Sequence, residues 1–274
     1  MESGHSSPSR RTKPNISFFF PAFNDAGTVE KLTVAAIKVL KRVANKYEVI
    51  IVNDGSLDNT GEVADRVARK YDNVIVKHHL YNIGYGAALK TGFYSSKYEW
   101  IYYTDGDMQF DPGELEKMVP LMDKADIISG YKIKRAEGTG RSATSWMYNR
   151  FVKTFLGIGV SDVDTAAKLI KREVIENIHL NLNGTFICAE ILAKALKQHY
   201  RVVQVPVNHY PRTYGHSNAL NLFFLMRSSV ELMELWWNVA LQEKLFGMRQ
   251  KMLRSKYKRK RPVTGNKGKN RGDR

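Results

Sequence analysis

Four short apolar runs, separated by stretches with helical spacing, constrain this chain more than any other feature. They are Ile16-Ser17-Phe18-Phe19-Phe20, Tyr47-Glu48-Val49-Ile50-Ile51-Val52, Val74-Ile75-Val76 and Trp100-Ile101-Tyr102-Tyr103. A strand covered on both faces has no reason to alternate polar and apolar side chains, so near-continuous apolar runs mark a parallel sheet under helices. Between the first two runs, Val29, Leu32, Ala36, Val39 and Leu40 repeat along one side of a helix expected from Thr28 to Tyr47. Asp58-Asn59-Thr60 forms the start of a second helix reaching about Tyr71, and Gly84 to Ser95 a third. Strand and helix in alternation predict an α/β domain with a doubly wound, mostly parallel sheet.

In such sheets, ligands bind beyond the carboxyl ends of the strands, near the switch in strand order. The polar groups at those ends are Asn24-Asp25, Asn53-Asp54 and Asp105-Gly106-Asp107. A single Asp or Asn after a strand often does no more than make a turn. Three such groups in series point to a site. Asp105 and Asp107 are two residues apart at one strand end. That spacing suits a hard divalent cation, Mg²⁺ or Mn²⁺, which takes oxygen ligands and keeps positions open for phosphates.

Beyond Ile127-Ile128-Ser129-Gly130 the regularity weakens. Gly138 to Arg141 reads as a loop, and Ser142 to Leu156 as an amphipathic helix carrying Trp146, Met147, Phe151 and Phe155. Asp162 to Leu169 reads as irregular and Val202 to Val207 as another strand. Leu220 to Leu245 is an aromatic-rich helical stretch interrupted by Arg227, Glu231, Glu234 and Asn238. It suits packing on the domain, a membrane interface or a dimer contact. The expected organisation is a disordered segment at 1–14, a domain at 15–218, an amphipathic helical region at 219–247 and a basic disordered tail at 248–274.

The formal charge of +16 suggests nucleic acid until it is located. Residues 244–274 hold 13 Lys and Arg against one acid, Asp273, which leaves only +4 on residues 1–243. The basic character belongs to a tail and not to the folded surface, which argues against a nucleic-acid-binding module. A basic tail suits attraction to anionic lipid, at about 1 kcal/mol per basic residue near a membrane surface. One cysteine, Cys188, excludes an internal disulfide framework and fits a reducing compartment. Residues 1–15 have no apolar core of a signal peptide, and no run of 18 apolar residues can span a bilayer. A cytoplasmic protein, peripheral on the inner face of the membrane, is expected.

Taken in order, the motifs resemble family 2 glycosyltransferases of the GT-A fold, and among them the polyprenyl-phosphate group typified by dolichol-phosphate mannose synthase. The resemblance spans roughly residues 15–218. Pro21-Ala22-Phe23-Asn24-Asp25 is similar to the Pro-x-Tyr-Asn-Glu whose acid and backbone hold the donor's base and ribose, which assigns Pro21, Ala22, Asn24 and Asp25 to the nucleotide. Val52-Asn53-Asp54-Gly55-Ser56-Leu57-Asp58-Asn59-Thr60 resembles a segment in which the residue matching Asp54 contacts the nucleotide. Asn82-Ile83-Gly84-Tyr85-Gly86-Ala87-Ala88 matches the Asn-x-Gly-x-x-x-Ala loop, and Asp105, Asp107 and Gln109 match the metal-binding Asp-x-Asp-x-Gln. Asp162 to Leu169 resembles Asp-x-x-Cys-Gly-Phe-Lys-Leu. Glu190 falls where the family has an acid on a helix near the acceptor. Pro211 to Ser217 resembles the Arg-x-x-Gly-x-Ser loop, which carries Arg212 and Ser217.

The departures are specific. Asp25 stands for Glu, Asn53 for the first Asp of its pair, Ala166-Ala167 for Gly-Phe, and Asn218 for the Lys of some members. After the fifth strand some members carry an Arg; here Gly130-Tyr131-Lys132 leaves the phosphate contact to Lys132.

The resemblance implies a metal-dependent, inverting transfer of a hexose from GDP-mannose or UDP-glucose to a polyprenyl phosphate, with Arg212 on the diphosphate. It also admits a homodimer or a membrane subunit as partner. Two alternatives stay open: transfer to a sugar or glycan hydroxyl with Glu190 or Asp162 as base, and the nucleic-acid-binding module. A nucleotidyltransferase would need a glycine-rich phosphate loop after the first strand, and Pro21-Ala22-Phe23-Asn24 is not one.

Overall fold

The apolar runs become strands β1 (Asn15–Ala22), β2 (Lys46–Asn53), β3 (Val74–His78) and β4 (Trp100–Tyr103). Helices α1 (Ala26–Val43), α2 (Thr60–Lys70) and α3 (Tyr85–Ser95) lie between them in sequence. The structure, a computed structural model, describes residues 12–133, 159–211 and five positions between 231 and 237. The expected helix at Ser142–Leu156, the loop at Gly138–Arg141, most of the 220–245 stretch, the amino-terminal segment and the basic tail fall outside the described residues. The chain divides into two units, Met1–Trp236 and Trp237–Arg274; of the second, only the exposed, helical Trp237 is described.

Three further strands, β5 (Ile127–Lys132), β6 (Lys168–Lys171) and β7 (Val202–Val207), complete a seven-stranded sheet in the order β3-β2-β1-β4-β6-β5-β7. All neighbours run parallel except β6, which is antiparallel to both β4 and β5. The chain leaves β1 toward β3 on one side and returns to β4 on the other. The switch point therefore lies between β1 and β4.

Packing explains the aromatic content of these strands. Phe18, Phe19, Phe20, Tyr102 and Tyr103 have no exposed surface. Phe19 meets Phe93 of α3 edge-on at 4.8 Å and Tyr103 in a stacked pair at 5.6 Å. Each ring buries apolar area worth about 2–3 kcal/mol and aligns its neighbours besides.

Two differences from the sequence reading have physical reasons. A proline directly after the apolar run Ile16–Phe20 predicts that β1 ends there, but the strand continues through Ala22, paired with β2 as far as Asn53. Pairing of β1 with β4 stops at Phe19 opposite Tyr103. Pro21 thus sits where one side of β1 has already lost its partner, so its missing N–H breaks no ladder on that side. The divergence of β1 and β4 opens the space that the strand-end carboxylates face. In the second case, Asp162 to Leu169 reads as irregular, yet its last two residues open β6. Lys168 is fully buried, and its ammonium donates to the carbonyls of Val163, at 3.1 Å, and Thr165.

At the opposite end of the sheet, Asp126 staples three strands. Its carboxylate accepts from Lys171 Nζ at 2.8 Å, from the Arg201 backbone N–H at 3.0 Å and from Arg201 Nη2 at 3.1 Å. The Arg201 guanidinium, followed by Lys171, holds the Asp126 carboxyl well below the usual carboxylate range. A group depressed in the folded state stabilises above its unfolded pKa, about 3.9 for Asp, and loses that contribution as the pH falls below it. Asp126→Asn is expected to lower Tm by a few degrees at pH 7. The gap to wild type should begin to narrow in unfolding scans taken below about pH 4.

Candidate active site

The cleft between the ends of β1, β2 and β4 has a volume of about 290 Å³ and is lined by Pro21, Ala22, Asp25, Asp54, Asp105 and Asp107, among others. Larger hollows of about 550 Å³ and 690 Å³ lie elsewhere, beside α1 and at the other end of the sheet, and neither contains these carboxylates. A pocket with convergent charged groups at a switch point is the better candidate, whatever its size.

Three turns are laced together at its rim. Asn24 adopts a left-handed backbone (φ 56°), and its side-chain oxygen accepts from Leu57 N–H at 2.8 Å while its own N–H donates to Ser56 Oγ at 3.1 Å. Asn is among the few residues that occupy this conformation readily. Asp25 donates its N–H to Thr60 Oγ1 at 2.8 Å and turns its carboxylate toward the Phe23 N–H at 3.1 Å. Thr28 Oγ1 lies within hydrogen-bond distance of the carbonyls of Asp25 and Gly106, tying the β1 turn to the β4 turn.

Asp54 is nearly buried, yet its oxygens are well supplied. They accept from the backbone N–H groups of Ile83 and Gly84, both at 3.1 Å, and from His79 Nδ1 at 2.7 Å. His79 Nε2 lies 2.9 Å from Thr91 Oγ1. With Nδ1–H donating to Asp54, Nε2 is placed to meet the Thr91 hydroxyl, and the two contacts fix the ring. Asn53 is engaged elsewhere: its amide nitrogen lies 3.0 Å from His78 Nδ1 and its amide oxygen accepts from Ser56 N–H at 3.2 Å.

At the end of β4, Tyr85 donates its hydroxyl to Asp105 Oδ1 at 2.8 Å, and Asp107 Oδ1 accepts from the Gln109 N–H at 3.0 Å. Enclosure of its carboxyl, and next the neighbouring Asp107, push Asp105 up to about 7, against the opposing pull of Tyr85, Lys132 and Lys168. Enclosure and Asp105 likewise raise the Tyr85 phenol, so it remains a donor. A carboxylate pair held together at this cost suits a divalent cation. Among the described residues no cluster of three or more His, Cys, Asp or Glu surrounds a single point. Two carboxylates alone do not fill the coordination sphere of Mg²⁺ or Mn²⁺, which takes further oxygens from water or phosphate.

The remaining expected residues are spread around this centre. Gln109 uses its side-chain nitrogen on the Tyr210 carbonyl at 3.2 Å, and its backbone carbonyl accepts from Tyr210 N–H at 2.9 Å. Lys132, at the end of β5, is near enough for its charge to act on Asp105. Asp162 is buried in the segment before β6. Glu190, on helix α6 (Ile187–Lys197, which follows the short α4 at Leu115–Met118 and α5 at Arg172–Asn177), is completely buried against Lys194. Arg212 and Ser217 lie outside the described residues.

His79, Tyr85 and Lys168 had no assigned role in the sequence. Tyr85 lies inside the Asn82–Ala88 motif, where the glycines drew the attention, and it is the first residue of α3. That position offered the only signal.

A parallel sheet with acidic strand ends at its switch point is the architecture of the GT-A glycosyltransferases. Solved structures with this fold include glucosyl-3-phosphoglycerate synthase from Mycobacterium tuberculosis in complex with Mn²⁺, UDP and phosphoglyceric acid. It has a TM-score of 0.64 at 15% identity and covers 82% of this chain and 78% of that one. The family model for glycosyl transferase family 2 matches residues 17–179, more than half of the sequence, and the chain belongs to that family.

Curated relatives include glycosyltransferase AglD of Haloferax volcanii, 24% identical over 251 residues, covering 84% of this chain and 38% of that protein. Another is the undecaprenyl-phosphate 4-deoxy-4-formamido-L-arabinose transferase of Proteus mirabilis, 27% identical over 216 residues, covering 77% and 65%. This chain thus spans less than two thirds of the length of either relative.

Proposed function

We propose that this glycosyltransferase moves a hexose from a nucleotide sugar, GDP-mannose or UDP-glucose, to a polyprenyl phosphate with inversion at the anomeric carbon. The observation that carries the reading is the meeting of Asp25 and Asp54 with the pair Asp105 and Asp107 in one cleft. The first two suit a nucleoside, the second two its diphosphate. The names of relatives that act on undecaprenyl phosphate support the acceptor class.

Asp105 and Asp107, with Gln109 nearby, would hold Mg²⁺ or Mn²⁺, which supplies Lewis-acid stabilisation of the departing diphosphate. Tyr85 keeps one oxygen of Asp105 occupied and so sets which oxygen faces the cleft. Asp54, fixed by His79 and two N–H groups, presents a rigid carboxylate to the base or ribose. Lys132 and Arg212 are positioned in the sequence to meet the phosphates, the guanidinium as a bidentate donor. An oxygen of the acceptor phosphate attacks the anomeric carbon, the bond to the diphosphate breaks, and the nucleoside diphosphate leaves with the electron pair.

A phosphate acceptor is already an anion at neutral pH, so this reaction needs no catalytic base. That agrees with the state of Glu190, whose two oxygens are taken up by Lys194 and two backbone N–H groups. Asp162 then helps shape the acceptor side and is not asked to remove a proton. No described helix is long and apolar enough to cross a membrane. We place the enzyme peripherally on the cytoplasmic face, with the basic tail drawn to anionic lipid.

The test offers labelled GDP-mannose and UDP-glucose, with Mn²⁺ or Mg²⁺, to polyprenyl phosphate and to soluble sugar acceptors. Label is expected in the lipid fraction alone, and the product's anomeric NMR coupling should report inversion. Transfer only to hydroxyl acceptors, or retained configuration, would overturn the proposal.

A further inference from the structure

Glu190 and Lys194 are both completely buried and form an ion pair of 2.5 Å one turn apart on α6. Taking two charges out of water is costly unless their remaining hydrogen-bonding capacity is used. Here it is used on a single stretch of chain. Glu190 Oε1 also accepts from Asn181 N–H at 2.9 Å, Oε2 accepts from Leu182 N–H at 3.0 Å, and Lys194 donates to the His179 carbonyl. The pair grips residues 179–182.

The next residue reaches the donor side of the cleft. The Asn183 carbonyl accepts from the N–H groups of Gly86 at 2.9 Å and Ala87 at 3.3 Å, in the first turn of α3. Those amides have no partner within their own helix, so an outside carbonyl completes them. Lys90, further along α3, adds a bond to the Asn181 carbonyl at 3.3 Å. The joint is tight: a Cβ on Gly86 would stand 2.6 Å from the Asn183 carbonyl carbon and 2.7 Å from the Gly184 oxygen. Immediately at this turn, Gly84 N–H donates to Asp54 and the Tyr85 hydroxyl donates to Asp105.

We propose that Glu190 is a positioning residue for the donor half of the site. With Lys194 it holds the 181–184 loop, the loop's Asn183 carbonyl fixes the start of α3, and α3 aims Gly84 and Tyr85 at Asp54 and Asp105. An acid on this helix would otherwise be assigned to the acceptor. Its burial and fully used oxygens direct its influence to nucleotide and cation binding. The inference rests on the proposed function only in taking those two aspartates as the nucleotide and cation ligands.

The experiment begins with calorimetry of UDP and GDP, each with Mn²⁺, on the full wild-type chain. Binding of neither would overturn the proposed function and this inference with it. Given binding, Glu190→Gln/Lys194→Met removes both charges and leaves one acceptor oxygen for two N–H groups. It is expected to bind the nucleotide with Mn²⁺ about tenfold more weakly, the cost of a buried donor left unmet. With the donor chosen by the transfer assay, kcat/KM for the donor should fall by a similar factor while the acceptor KM stays within about twofold of wild type. Gly86→Ala presses on the same joint from the α3 side and should give the same division.

Unchanged nucleotide affinity in the double variant overturns the inference, whether kcat falls, which would move Glu190 to the acceptor, or only Tm falls, which would make the pair purely structural. If the double variant does not fold, Gly86→Ala decides: weaker nucleotide binding supports the joint, and wild-type affinity refutes it.

Discussion

Asp107→Ala should abolish nucleotide-dependent stabilisation by Mn²⁺ and cut transfer by about 10²–10³-fold or more, the scale of losing one electrostatic contact to the leaving group. Asp105→Asn should do the same, with a second effect of opposite sign. The Asp105 carboxyl is pushed up to about 7, chiefly by enclosure and then by Asp107. In the unfolded chain it would titrate near 3.9. A raised acid binds its proton more tightly when folded. Its charge therefore costs the metal-free fold increasingly as the pH rises from about 4 to 7, and by a constant amount above.

Asparagine keeps the oxygen that accepts from Tyr85 and removes the charge. Metal-free Asp105→Asn is expected to unfold a few degrees above wild type at pH 8, with the advantage shrinking toward pH 5, while Mn²⁺ no longer raises its Tm. Such an exchange of stability for function is what a strained site implies. Thermal scans at both pH values, with and without Mn²⁺ and nucleotide, check it. A variant less stable than wild type at pH 8, or one that still responds to Mn²⁺, would remove the pair as a cation site.

The left half of the sheet was legible because burial on both faces writes itself into β1, β2 and β4 as unbroken apolar runs. The carboxylates at the strand ends followed from the same reading, since three polar groups in series at the carboxyl edge point to a site although each alone could make a turn. What stayed hidden were residues whose surroundings come from distant segments. Lys168 and Lys194 look like surface lysines, yet both are fully buried and donate to carbonyls. The Glu190–Lys194 spacing suggests an exposed helical pair, but α6 has buried residues on every side from Ile187 to Ala195. His79 and Tyr85 depend on the loop after β3 folding back over Asp54 and Asp105. No local pattern encodes that approach. Pro21 misled for a related reason: it stops a strand only where both neighbours still pair, and β4 has already diverged.

Gly55 is the point at which that loop closes on the β2 turn, and its substitution should be the most damaging single-methyl change near the site. Its φ is +65°, and an added Cβ would lie 2.2 Å from the Tyr81 carbonyl carbon and 2.4 Å from the Asn82 nitrogen. The left-handed conformation alone costs about 1–2 kcal/mol for alanine. The clash cannot be relieved by rotating a side chain, because the opposing atoms are backbone. Residues 81–82 must shift, and directly after them come Ile83 and Gly84, whose N–H groups hold Asp54. Gly55→Ala is therefore expected to cost about 3 kcal/mol or more, roughly 6–12 °C in Tm for a domain of this size. It should also weaken nucleotide binding at least about tenfold through the displaced Asp54 partners. Leu57→Ala provides the comparison: two residues away, with a side chain 90% exposed, it should stay within about 0.5 kcal/mol of wild type. Equal stability of the two variants would show that the β2 and β3 turns are not locked together at Gly55.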